Sequence, residues 1–475
     1  MLLSFKVRGG YDILRSIKTN RSSMNKLKKS FICLLTSSCL SQAYASGLQI
    51  WDQNAAGVGD YHAGYAVDAA DASTSFYNPA GLTYLDKMQV VGGIVAAPTN
   101  IVYNGKVNVS TVNPVTPQFI SNAQAGTFNA IPDLYFAQPL SARLTWGLGL
   151  SAPFGCNTGY NTATYMRYAS TKTTIQTIDM GPSLGFKLRN NLSVGGGVDA
   201  IYGDAVFDQY AGFADTTGLD TLSDNRLNGW GYGYHLGALY QPTLHTRLGL
   251  SYHSKVDQHL TGRSRFIGDL ANSGAFTGDL TPSTQISNNL KSNLTLPPYT
   301  TLSGLQNITD QWSILASATY TQWRYIKTLE LENIAVADSS SGAAVNNAVA
   351  YITQNFHNTW NLALGTEYQV NQKIKVRSGA GYDQTPIPGS TYRYPQTPDQ
   401  NRIAVAIGGQ YKITKKAIMD LGWTHLFMAN AAVQSSETVG VNPNNPNPNG
   451  QTVTADGTIS SSADLFGMQF TWQFD

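Results

Sequence analysis

The hydrophobic and polar positions of this chain alternate with a period of two over most of its length. The clearest case is its end, Leu465 to Asp475. Phe466, Met468, Phe470, Trp472 and Phe474 fall on one face of an extended strand, and Gly467, Gln469, Thr471 and Gln473 on the other. Earlier segments repeat the pattern. Leu144, Trp146, Leu148 and Leu150 oppose Thr145, Gly147, Gly149 and Ser151; Leu192, Val194 and Val198 oppose Ser193, Gly195, Gly197 and Asp199. Ile374, Val376, Ala380 and Tyr382 oppose Lys375, Arg377, Gly379 and Asp383. A soluble sandwich strand also alternates, so no single segment decides the fold. From Met88 onward, however, about fourteen such segments follow one another, joined alternately by short turns (around 190, 308, 371 and 414) and long loops. Short turns on one side and long loops on the other are the wiring of an outer-membrane barrel. The expected fold is therefore all-β and transmembrane, a 14-stranded antiparallel barrel over 88–475. Charges belong on its inner face, because one facing lipid at mid-membrane costs about 2–4 kcal/mol.

Residues 46–87 break the rule. Gly57-Val58-Gly59, an Ala- and Asp-rich stretch, and Tyr77-Asn78-Pro79-Ala80-Gly81 offer no long alternating run. This segment reads as short helices joined by glycines, a compact hatch held inside the barrel. Before it, Met24 opens a basic stretch (Lys26, Lys28, Lys29), an apolar core from Phe31 to Leu40, and the small-x-small site Ala43-Tyr44-Ala45. Residues 1–45 thus divide into an upstream extension and a signal peptide cleaved after Ala45.

Composition agrees. Only 13% of residues are charged, against roughly 25% in ordinary soluble domains. Aromatics reach 11%, glycine numbers 45, and no apolar run after the signal is long enough for a membrane helix. A net charge of +2 without a basic cluster gives nucleic acid no surface. Cys33 and Cys39 lie in the signal, so the mature chain keeps Cys156 alone, without a disulfide or a cysteine-based zinc site. The seven histidines are scattered without metal-ligand spacing, and no nucleophile elbow or phosphate loop occurs. No metal, cofactor or enzymatic activity is expected.

Several short motifs, in order, resemble the long-chain fatty acid transporters of the outer membrane, a family that includes aromatic-hydrocarbon uptake channels. They are Gly47-Leu48-Gln49, Gly57-Val58-Gly59, Asn78-Pro79-Ala80, Ala152-Pro153-Phe154-Gly155, Arg247 to Tyr252, Leu294 to Pro297, Tyr382 to Pro388, Pro398-Asp399-Gln400-Asn401-Arg402 and Gly422 to His425. The resemblance covers essentially the whole mature chain. It implies a fourteen-stranded barrel plugged by an N-terminal hatch, and a hydrophobic ligand that moves from an outer groove to an inner site. Release follows a shift of the N-terminal segment, and exit runs sideways through a gap made by an inward kink of the third strand.

By that resemblance Asn78, Pro79 and Ala80 anchor the hatch near the gate. Pro153, Phe154 and Gly155 form the kink, where proline and glycine weaken the ladder, although Cys156 replaces the usual aliphatic residue. Leu48 is a displaceable apolar tooth beside the ligand. The family's head-group arginine falls at Gln209 and its lysine near Glu330, so carboxylate specificity is in doubt. Trp323, Tyr325 and Lys327 share an inward face by local alternation. Lys327 and Arg377 are the substitute head-group contacts, with Trp323 and Tyr325 as lumen aromatics.

The expected function is passive uptake of long-chain fatty acids or similar hydrophobic compounds across the outer membrane. A polar-solute porin and a structural or adhesive barrel are the alternatives. The expected partners are the ligand, outer-membrane lipid and lipopolysaccharide, and the barrel assembly machinery during insertion. The protein is expected to be a monomer with both mature termini periplasmic.

Overall fold

The computed structural model describes residues 47–110, 117–212, 220–272, 274–275, 278–279, 281–337, 344–441 and 450–474. The start at Met24 and the cleavage site after Ala45 lie outside these residues.

Fourteen antiparallel strands close into a barrel. They are β1 (Gln89–Ser110), β2 (Gln118–Gln124 and Phe128–Pro139), β3 (Leu144–Ser151 and Gly155–Gly159), β4 (Lys172–Arg189), β5 (Leu192–Ala211), β6 (Thr221–Thr243) and β7 (Thr246–His253 and Val256–Gly268). The others are β8 (Ser283–Leu296 and Tyr299–Asn307), β9 (Trp312–Thr321 and Thr328–Ala337), β10 (Ala344–Thr353 and Thr359–Gln369), β11 (Ile374–Asp383), β12 (Arg402–Lys412), β13 (Ala417–Met428 and Ala431–Val441) and β14 (Gln451–Gln473). Each pairs with the next, and β14 returns to β1, from Gln89↔Gln473 to Ser110↔Thr452. Closure leaves no edge strand, as a barrel in lipid requires.

The alternation sorts as expected. Phe466, Met468, Phe470 and Trp472 are exposed on the outside, while Gln469 and Thr471 are buried inside. The strands run further than the apolar pattern suggested. β13 reaches Val441 and β14 starts at Gln451. Here the outward face is polar (Thr452, Thr454, Ser460) and the inward face carries Val453, Ala455 and Ile459, so the oily-outward alternation inverts while the ladder continues.

Hatch residues form three short helical turns, Gly57–Asp60, Thr74–Tyr77 and Pro79–Tyr84, mostly buried within the barrel. Inner-wall glycines let them approach the sheet. A Cβ on Gly408 would lie 2.6 Å from the Gly59 Cα, and one on Gly195 would lie 2.4 Å from the Pro79 carbonyl carbon. At these glycines the wall omits side chains where the hatch needs room.

Phe474 lies at the short-turn rim, its N–H donated to Met88. Gly47 lies elsewhere, its N–H donated at 3.1 Å to Asp399 in the long loop between β11 and β12. Gly47 and Phe474 thus lie in different surroundings, one against a long loop and the other at the short-turn rim.

Candidate functional site

The wall is interrupted at one place that the hatch fills. The ladder between β2 and β3 runs only from Leu134↔Leu150 to Pro139↔Thr145. β3 then breaks at Ala152-Pro153-Phe154. Proline has no N–H to give, and on the β4 side three residues stand against two, between the pairs Ser151↔Asp179 and Gly155↔Gln176.

The chain's own leader completes the missing ladder. Ile50 donates to the Pro153 carbonyl at 2.9 Å, Gly155 donates to the Leu48 carbonyl at 2.7 Å, and Gln49 bridges Phe154 antiparallel. The Gln53 amide acts as a further strand residue. Its Nε2 donates to the Ala152 carbonyl at 2.9 Å, and its Oε1 accepts from the Ala152 N–H at 2.7 Å. Thr177 of β4 holds Phe154 from the other side, through its hydroxyl and its N–H.

Leu48 projects into an apolar cluster with Phe154, Trp323, Ile326, Leu329, Phe356 and Ile387. Beside it lies a cavity of about 90 Å³, small beside the roughly 300–1,000 Å³ of ordinary small-molecule sites. Leu48, Ile175, Leu294, Ile326, Leu329, Phe356 and Ile387 give it an apolar lining; Asn293, Thr295, Gln354, Thr397 and Asp399 supply polar atoms. No lysine or arginine is among the lining residues.

Trp323 is fully buried, edge-on to Phe154 at 6.5 Å and to Phe356 at 5.9 Å. The expectation that Trp323, Tyr325 and Lys327 share an inward face is wrong. Trp323–Tyr325 form a 3-10 turn that interrupts β9, and the period of two fails across it. Tyr325 is 44% exposed with Arg324 over its ring, though it still reaches the cavity mouth. Lys327 is exposed and donates to Asn355 at 3.3 Å. Arg377 does face inward, but it is committed elsewhere. It pairs with Glu367 at 3.1 Å and Asp420 at 3.0 Å, and donates to the Ala56 carbonyl of the hatch at 3.0 Å. Neither cation contributes to the cavity.

Asn78 is buried. Its amide donates to Ala66 at 2.6 Å within the hatch and to Ala238 of β6 at 3.1 Å, and its Oδ1 caps the Pro79–Tyr84 turn at Ala80. Pro79 rests on Gly185 and Gly195, and Ala80 packs on Leu239. The three residues thus hold the hatch to β4, β5 and β6, not to the break in β3 as expected.

The sequence reading missed the group that holds the leader. Arg402 lies between Asp383 at 3.1 Å and Asp399 at 3.4 Å, all three buried. Asp399 takes the Gly47 N–H and the Thr385 hydroxyl; Asp383 takes the Trp51 indole N–H at 3.3 Å. Burial pushes the Asp399 carboxyl above its ordinary range, against the Arg402 guanidinium that lowers it. The motif Pro398 to Arg402 was the available signal, taken for resemblance and not for contact. The histidines, read as scattered, are also partly gathered: Asp199, His235 and His253 meet on adjacent strands. Ser183 joins them, at 2.8 Å from His235, but it is buried under the hatch and its hydroxyl donates to the Ser75 carbonyl.

Residues 36–474 match the outer membrane protein transport protein family (OMPP1/FadL/TodX). Outer membrane protein P1 of Haemophilus influenzae is 26% identical over 95% of this chain and 100% of its own length. A long-chain fatty acid transport protein of Escherichia coli is 26% identical over 84% of this chain and 90% of its own. Among solved structures, a Pseudomonas aeruginosa FadL homologue superposes with a TM-score of 0.75 at 25% identity, covering 90% of this chain and 100% of that one. The Pseudomonas putida toluene transporter TodX shares the fold, with a TM-score of 0.66 at 15% identity over 90% of this chain and 100% of that one.

Proposed function

This chain belongs to the OMPP1/FadL/TodX family of outer-membrane transport proteins, and from that premise we propose that it is a passive channel for long-chain fatty acids or comparably apolar molecules. The ligand binds in the cavity beside Leu48 and leaves sideways through the break in β3. The carrying observation is that residues 48–53 of the hatch are hydrogen-bonded into that break while Leu48 also borders the cavity. Moving this one segment would open the wall and empty the site in the same step. Pro153, Phe154 and Gly155 are the gate; Asn78, Pro79 and Ala80 keep the rest of the hatch in place meanwhile. The relatives named for long-chain fatty acids and for toluene support an apolar cargo. The lining without lysine or arginine supports recognition of the hydrocarbon part, with no required carboxylate. A lumen filled by the hatch speaks against an open polar-solute porin.

The protein acts as a monomer among outer-membrane lipid and lipopolysaccharide, placed there by the barrel assembly machinery. Its C-terminus and short turns face the periplasm, and its long loops face outward. Diffusion down a gradient is sufficient to drive uptake, without catalysis.

The test locks the leader to the gate. Gln49 and Phe154 are bridge partners, and Cα separations of about 4.5–5.5 Å across such pairs suit a disulfide. In a Cys156→Ser background, Gln49→Cys with Phe154→Cys should take up labelled oleate only after reduction. Normal uptake by the fully oxidised protein would remove the gate from the mechanism.

A further inference from the structure

Asp199 of β5, His235 of β6 and His253 of β7 lie inside the barrel, all buried. The ladder places His235 opposite His253 and opposite Gly197, so Asp199 is one inward position along. One ligand atom from each lies within 4.8 Å of the others. Neighbouring β4 adds Asp179, buried, with one carboxylate oxygen that has no hydrogen-bond partner among the described residues. Gly181 has no side chain where these groups converge. A Cβ there would lie 3.2 Å from Asp199 Oδ1 and 3.6 Å from both Asp179 Oδ2 and the His235 ring.

Two buried carboxylates and two imidazoles are thus gathered where, among the described residues, no lysine or arginine pairs with either acid. Buried charge of one sign needs a counter-charge. Two imidazole nitrogens and a carboxylate oxygen are the donor set of a borderline divalent ion such as zinc. The outer hydrogen bonds also fit. His235 Nε2 is 2.8 Å from Ser183 Oγ, and the His253 ring is hydrogen-bonded to the Phe76 backbone. Metal-binding histidines are oriented by such second contacts.

We propose that Asp199, His235 and His253 bind one divalent ion of the zinc class, with Asp179 as the adjoining carboxylate. The ion takes the place of the proton in the 2.6 Å bridge between His235 Nδ1 and Asp199 Oδ1, and that proton passes to solvent. Its consequence is mechanical. His253 packs on Phe76 at 5.0 Å, and Ser183 donates to the Ser75 carbonyl at 3.0 Å, so the ion would clamp this turn of the hatch to the wall. That leaves the leader, residues 47–53, as the part free to move.

The experiment uses the full chain in detergent, stripped with chelator and given Zn²⁺ or Co²⁺ alone. One equivalent of metal should survive desalting, and Co²⁺ should give visible ligand-field bands of a nitrogen–oxygen site. Zn²⁺ should raise the unfolding temperature. Asp199→Asn and His253→Gln should each weaken binding tenfold or more and abolish that rise; His259→Gln, on an exposed residue, should change neither. The Co²⁺ spectrum of the unaltered chain carries the test if a variant does not fold. Less than a stoichiometric amount of metal on the unaltered chain, or undiminished binding by folded Asp199→Asn or His253→Gln, would overturn the assignment.

Discussion

Gln53→Met isolates the stitching of the wall by the hatch. Methionine keeps the length of the side chain and most of its packing but removes the amide. Two groups of Ala152, its N–H and its carbonyl, then lose their partners at 2.7 and 2.9 Å. A buried polar group left unpaired costs about 1–3 kcal/mol, so the closed state of the break loses about 2–6 kcal/mol. Each 1.4 kcal/mol is a factor of ten in an equilibrium, and the lower bound is already about 30-fold. Hydrogen exchange read by mass spectrometry on the peptide around Ala152 is the direct assay. Exchange there should accelerate by at least that factor, while a peptide of β5 around Ile201 keeps its protection, because the barrel ladders are untouched. Exchange within threefold of the parent at Ala152, in a correctly folded barrel, would mean that the amide does not close the wall.

Arg402→Met leaves Asp383 and Asp399 buried without their shared cation, a loss of about 3–5 kcal/mol; limited proteolysis should cut the leader near Gly47 far faster than in the parent. Lys327→Met, at an exposed position whose ammonium donates to Asn355, should leave oleate uptake within twofold of normal, and a larger loss would return the lysine to the pathway. Gly408→Val places carbon 2.6 Å from the Gly59 Cα; overpacking of about 1–3 kcal/mol should loosen the hatch and raise sensitivity to large antibiotics, with an unchanged barrel band on unheated gels.

The sequence made the barrel legible because lipid enforces one rule on every strand. Phe466 to Trp472 and Leu192 to Val198 obey it, and the strand number follows from counting them. Where lipid stops acting the rule lapses, so the extensions of β13 and β14 escaped notice. The site was legible in part. Leu48, Phe154 and Trp323 share one apolar cluster, but Lys327 was misplaced, because three residues of 3-10 turn after Gln322 undo the alternation. Arg377 was correctly turned inward, yet its partners Glu367, Asp420 and the Ala56 carbonyl come from two other strands and the hatch, which no local pattern reveals. Asp199, His235 and His253 are invisible for the same reason. Their nearness depends on the register of β5 on β6, which are joined by a long loop, and of β6 on β7, and no local pattern reveals it.

The bare inner wall bears on how the chain can change over generations. Any single-base substitution that alters a glycine codon enlarges the residue or ends translation. Where Gly195, Gly408 and Gly422 lie under hatch backbone, even the smallest such step adds a carbon that another atom already occupies. Drift at these positions has one direction and no room, so the footprint of the hatch should persist in lineages whose outer loops and cargo have long since diverged.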